Sequence, residues 1–120
     1  MRTSASKAVI GLGTLLEAGV VSEIRPGTIM GVVTGERRFI VVNVGGTFYA
    51  LDGICTHAYA ELDHGYVAGD RVICPLHLSQ FDLRSGEAVS PPAEVPLRIY
   101  PTRVVDGKVF IEMGEAASNP

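Results

Sequence analysis

The chain has 120 residues, 47% of them hydrophobic, and a formal net charge of −3. That length accommodates one domain with a real core, and the composition excludes an intrinsically disordered chain. The acidic balance argues against a nucleic-acid binder, which needs a basic face, and no apolar run reaches the length of a membrane span.

In chain order, MRTSASKAVIGLGTLLEAGVV sets Arg2 and Lys7 ahead of an apolar patch, as a secretory leader would. Glu17 interrupts the patch and no clean small-x-small cleavage site follows, so the segment reads as mature chain and the protein as cytoplasmic. The only helical candidate is residues 8–18, where Val9, Leu12 and Leu16 share a face; Gly11 and Gly13 argue against it. TIMGVVT (28–34) and RRFIVVNV (37–44) read as strands around a Gly35-Glu36 turn. GTFYALD (46–52) follows the Gly45-Gly46 pair, which suits a tight hairpin. RVIC (71–74) and LSQFDL (78–83) are strand-like, and RSGEAV makes a turn. LRIYPTRVV and KVFIEM are joined by Asp106-Gly107, a strong two-residue hairpin signal. Short strands with frequent turns predict an all-β antiparallel sandwich or small barrel, and GEAASNP (114–120) a loose tail.

Both cysteines and all three histidines lie between residues 55 and 82. They are arranged as Cys55-x-His57 and Cys74-x-x-His77, with 16 residues between His57 and Cys74. Each half follows a strand-like run, which predicts two loops at one end of a sheet presenting two sulfurs and two nitrogens. A lone disulfide is not the scaffold of a chain this apolar. Structural zinc accepts such a set, but its usual spacings pair like with like. A nucleophilic cysteine with a histidine base needs only half of it. An iron–sulfur cluster with both thiolates on one iron and both imidazoles on the other predicts the alternation seen in each loop.

The arrangement C-x-H-x16-C-x-x-H resembles the signature of Rieske iron–sulfur proteins. CTHAYAEL and CPLHLSQFDLRSGEAVSPPA resemble that family's two cluster loops and its proline-rich loop, and the likeness runs from about residue 15 to 112. It implies a Rieske-type antiparallel β-sandwich with a small cluster-binding subdomain made of two loops. The implied boundaries are an N-terminal extension at 1–13, the Rieske domain at 14–113 and a flexible tail at 114–120. One [2Fe–2S] cluster would be held by Cys55, His57, Cys74 and His77, with the histidine-bound iron at the tip.

Within the family the chain is similar to the small soluble Rieske ferredoxins of bacterial aromatic-ring dioxygenase systems. Beyond the two ligand histidines only His64 remains, too little for the mononuclear iron of an oxygenase subunit. Ala60 and Leu76 stand where Rieske proteins of quinol-oxidising complexes carry two further cysteines. The resemblance therefore implies no catalysis. It implies a monomeric carrier taking single electrons from a flavin-dependent NAD(P)H reductase to a terminal oxygenase. The alternatives are a small Rieske subunit of a nitrite-reductase-like or other oxidoreductase complex, or a zinc-stabilised binding module.

Rieske potentials span about −150 to +300 mV, against about −400 mV for plant-type four-cysteine centres. High-potential members add hydrogen bonds from a Ser and a Tyr in the second loop. Here Ser79 stands at the first position but Phe81 at the second, which implies a potential toward the low end of the range. Tyr59, Leu62, Leu78 and Pro91 flank the loops as candidates for an apolar docking rim, with Leu62 read as packing over the cluster. Leu76 is also expected to pack, and Leu78 replaces a common glycine. His64 reads as a solvent-facing turn residue. Pro91, Pro92 and Pro96 are expected to make a rigid third loop, and Gly53, Gly65, Gly69 and Gly86 to need unusual backbone angles.

Overall fold

A computed structural model describes residues 2–4, 7–10, 13–56, 59–76, 78–91 and 93–115. Thirteen strands are described: β1 Arg2–Ser4, β2 Lys7–Ile10, β3 Gly13–Val20, β4 Ile29–Thr34, β5 Arg37–Val44, β6 Thr47–Asp52, β7 Tyr66–Ala68, β8 Arg71–Ile73, β9 Gln80–Asp82, β10 Ala88–Ser90, β11 Ile99–Tyr100, β12 Thr102–Val105 and β13 Lys108–Glu115. Two single 3₁₀ turns, Val21–Glu23 and Leu62–His64, are the helical elements among the described residues. None of the described helices is long and apolar enough to cross a membrane.

The strands form three sheets. A five-stranded sheet runs β1-β4-β5-β6-β11, a four-stranded sheet β12-β13-β3-β2, and a small sheet β10-β9-β8-β7. The five-stranded sheet is the middle layer, and the reason is visible in β5. Phe39 and Val41 point into one core with Leu16, Ala18, Val109 and Ile111 of the β3/β13 sheet. Ile40 and Val42 point into another core with Val72 and Phe81 of the small sheet. A strand buried on both faces reads as a continuous apolar run, as FIVV does. Each such side chain contributes about 1.5–3 kcal/mol by leaving water.

The turns follow their residues. Asp106-Gly107 joins β12 to β13 in a two-residue hairpin with φ of +52° and +74°, and Gly45-Gly46 joins β5 to β6 likewise at +58° and +95°. Positive φ at both central residues marks the type I′ turn, whose twist matches that of the flanking strands.

The candidate helix at 8–18 is not helical. Lys7–Ile10 and Gly13–Val20 are antiparallel strands, in which Leu16 and Ala18 alternate inward with a period of two; residues 11 and 12 lie outside the described residues. Two glycines cost an isolated helix about 1 kcal/mol each, and pairing with β13 decides for strand. The segment that falls outside the family resemblance thus supplies two edge strands, β2 on the outer sheet and β1 on the middle one. The β1–β4 pairing is parallel, whereas the other described strand pairs are antiparallel. Of the tail, residues 116–120 lie outside the described residues.

Candidate metal centre

The two cysteine loops are closed in the same way. In the first, the Cys55 N–H donates to the Ala60 carbonyl at 3.0 Å; in the second, the Cys74 N–H donates to the Ser79 carbonyl at 2.8 Å. Each bond spans five residues and leaves four in the loop. The first loop has a longer base, since Ile54 bridges Glu61 and the Leu62 N–H donates to the Gly53 carbonyl at 2.8 Å. That base is fastened to β5 by the Gly53 N–H to the Arg38 carbonyl at 2.8 Å and by an Arg38–Glu61 ion pair at 3.0 Å.

The segment after β10 ties the loops together. The Thr56 hydroxyl donates to the Val95 carbonyl at 2.6 Å, and the Ala93 N–H donates to the Ser79 hydroxyl oxygen at 3.1 Å. Its far end is held by the Leu97 N–H on the Gly86 carbonyl at 2.7 Å. The expected proline loop is therefore a strap across both cysteine loops, with Pro91 and Pro96 exposed and Pro92 outside the described residues.

Gly86 and Gly69 take the left-handed angles expected of them, at +78° and +60°. Gly53 and Gly65 do not; they are required for close approach instead. A Cβ on Gly65 would strike the Ile73 carbonyl, and one on Gly53 would press at 3.0 Å on the β5 backbone.

Cys55 and Cys74 are free thiols, 4% and 0% exposed, in the same core cluster. They lie within hydrogen-bonding reach of one another. Burial pushes the Cys74 thiol up to about 11; the Leu76 N–H, 3.4 Å from its sulfur, pulls the other way, and Cys55 adds to the rise. A pair of thiolates in this apolar pocket needs a cation, because an uncompensated buried charge is too costly. Two soft sulfurs facing each other beside a backbone donor are thus suited to the thiolate side of a metal cluster, and the residues fit the group.

His57, Ala58 and His77 lie outside the described residues. Among the described residues no three of His, Cys, Asp and Glu gather as a metal site, and of the four expected ligands Cys55 and Cys74 are the two that lie among them.

Around the sulfurs, Leu62 is fully buried in their cluster and shields them from water, as expected. Ser79 is also fully buried, and its bond from Ala93 uses an oxygen lone pair while leaving the hydroxyl proton uncommitted by that contact. Phe81 is fully buried and donates nothing. Tyr59, Leu78, Val95 and Pro91 are exposed. Leu76 departs from its expectation: it is 43% exposed, with its backbone N–H turned to the Cys74 sulfur. His64 is exposed beside Asp63, at 3.8 Å.

One support was not legible in the sequence. The Tyr100 hydroxyl donates to Asp52 Oδ1 at 2.7 Å and accepts from Arg37 at 3.2 Å, while its ring meets Phe39 edge-on at 5.3 Å. Burial, then the Asp52 carboxylate, raise the Tyr100 phenol to about 12. This network holds the end of β6, where the chain turns toward Cys55. Its members are 48 and 63 residues apart in sequence, so no local pattern announces it. Asp82 is a different case. Its carboxyl accepts the Ser85 and Arg84 N–H groups, which hold it below the usual carboxylate range, and a short-range Asp-x-x-Ser turn signal was available there.

The family model described as the Rieske [2Fe-2S] domain matches residues 14–101. The ferredoxin component of the naphthalene 1,2-dioxygenase system of Pseudomonas putida is 33% identical over 98 residues, covering 82% of this chain and 94% of that protein. Among solved structures, a chain from the complex of reduced oxygenase and oxidized ferredoxin in carbazole 1,9a-dioxygenase is 34% identical, with a TM-score of 0.80, and 84% of this chain covers 94% of that one. The small subunit of an NADH-dependent nitrite reductase from Mycobacterium tuberculosis matches with a TM-score of 0.74 at 20% identity, over 85% of this chain and 96% of that one. That last likeness is one of fold alone. A domain-length match to the family model, and a third of residues shared with a relative covered almost end to end, lead to one conclusion: this chain belongs to the Rieske [2Fe–2S] domain family.

Proposed function

We propose that the protein is a soluble, cytoplasmic Rieske ferredoxin, monomeric in solution. It carries single electrons from a flavin-dependent NAD(P)H reductase to a terminal oxygenase of the aromatic-ring dioxygenase type. The observation that carries this reading is the pair of free, buried cysteines brought face to face by two loops of identical closure. Coverage of 94% of a dioxygenase ferredoxin component by 82% of this chain supports it further.

Cys55 and Cys74 would hold the inner iron, and His57 and His77 the outer iron at the tip. Bound there, the cluster supplies storage for one electron at a potential above that of four-cysteine centres. The chain's own residues do the rest. Leu62 and Phe81 keep water from the sulfurs, the Leu76 N–H stabilises negative charge on Cys74, and the strap fixes the spacing of the two loops. The Rieske domain is taken as residues 14–113, with the first strands as an addition to it.

The test is the visible and EPR spectrum of the purified protein, oxidised and then reduced with dithionite. A red-brown colour that bleaches is expected, with a reduced signal whose average g lies below that of all-cysteine clusters. A colourless protein with stoichiometric zinc after anaerobic preparation would remove the electron-transfer reading.

A further inference from the structure

Leu78, in the second cysteine loop, sits at φ +60°. This is the left-handed region that residues bearing a Cβ avoid, with a bias against it of about 5- to 30-fold. Asp106 shares such an angle, but it belongs to a residue type whose short polar side chain tolerates it in turns. The second loop returns from Cys74 to the Ser79 carbonyl in four residues, with the left-handed turn at Leu78. It does not need a leucine there, since glycine takes the same angle without strain. Nor is the strain recovered by packing, because the side chain is 58% exposed. The gain that offsets it therefore lies outside the isolated chain.

The neighbours show what sort of surface would bury it. Tyr59, Leu76 and Val95 are 77%, 43% and 60% exposed, on the loops joined by the Thr56–Val95 and Ser79–Ala93 bonds. Residues 55–60 and 74–79 contain no Asp, Glu, Lys or Arg, in a chain that is 19% charged. Such a tip binds by apolar burial, with little pairing of charges.

Resting on the carrier reading above, we infer that Leu78 is the anchor by which this tip engages the terminal oxygenase, entering an apolar recess of that partner. The oxygenase is the occupant because the similar structure is a complex of an oxygenase with a ferredoxin.

The test uses the cluster-loaded wild type, Leu78→Gly and Leu78→Ala as electron donors to the terminal oxygenases of the carbazole and naphthalene systems. KM for the carrier and kcat are measured separately, along with the potential, the EPR spectrum and the urea midpoint. Both variants should raise KM about tenfold or more, the value of burying a leucine side chain, with the spectrum and potential retained. Leu78→Gly should also unfold at higher urea than Leu78→Ala, since only glycine relieves the strain. An unchanged KM in Leu78→Gly overturns the anchor, and an Ala variant as stable as the Gly variant overturns the strain on which it rests. A rise in KM confined to the reductase overturns the assignment to the oxygenase. A wild type that carries the mixed-ligand cluster yet reduces neither oxygenase removes the carrier reading itself, and the inference with it.

Discussion

The two cysteine loops do the same job with different supports. Each is closed by its cysteine N–H on a carbonyl five residues on. The first loop is fastened outward, by the Arg38–Glu61 pair and the Thr56 hydroxyl, both on exposed or half-exposed side chains. The second is fastened inward, by the buried Ser79 hydroxyl and the Leu76 N–H on sulfur. The difference teaches that equal geometry does not mean equal energetics. Exposed contacts compete with water and contribute little, whereas a buried polar contact is costly to leave unmade.

The strongest way to break this pairing is to remove a sulfur. Cys55→Ser and Cys74→Ser should each abolish the cluster, read as loss of iron and of visible colour, because under the proposed ligation each loop would supply one thiolate from the chain's two cysteines. A variant of either that keeps full iron would show the loops to be unequal in ligation as well as in support.

Next in size is the contrast between the anchors. Ser79→Ala leaves the buried Ala93 N–H without its acceptor and should lower stability by about 1–3 kcal/mol in urea unfolding, whereas Thr56→Ala should cost about 1 kcal/mol or less. Equal losses would erase the distinction between inward and outward support.

Phe81→Tyr sharpens the comparison on the second loop. The fully buried ring shares a cluster with Cys74, so an added hydroxyl donating to sulfur should raise the potential. A hydrogen bond favouring the reduced state by about 1 kcal/mol corresponds to about 40 mV for one electron. A potential that does not rise in redox titration would place the ring out of reach of the cluster.

The smallest effect concerns the strand feeding the first loop. Tyr100 is raised to about 12 in the folded protein, above the ordinary value of 10.0, so the folded state holds its proton more tightly than the unfolded chain does. The stability it contributes is present below pH 10 and is lost as the pH climbs to 12. With solvent screening at a half-buried site, the loss is on the order of 1 kcal/mol. Tyr100→Phe should remove that alkaline loss while making the protein somewhat weaker at neutral pH, as measured by urea midpoints across pH 8–12. A wild type whose midpoint stays flat over that range would contradict the network.

Most of the strands were legible because their signals are local. Arg37–Val44 and the Asp106-Gly107 turn lie where a continuous run of β-forming apolar residues and turn chemistry put them, and Cys55 and Cys74 announced themselves by spacing. Residues 8–18 were harder. Their apolar positions suit neither period well, and strand formation there depends on pairing with β13, almost 100 residues away. The family resemblance, with Trp common at its position in relatives, predicts that Leu76 packs, and nothing local announces that it is 43% exposed.

What the sequence determined by itself was the set of short-range commitments: strand periods, turn residues, the two sulfurs, and a Phe where a donor could stand. Only the tertiary structure decided that β5 is buried on both faces, that the first residues close two sheet edges, and that Ala93 and Val95 hold both loops at once. Those outcomes rest on contacts between residues distant in the chain. A backbone hydrogen bond such as the one Ala93 donates to Ser79 is available to almost any residue, so its partner is set by where the folded layers place it and not by the residues that make it.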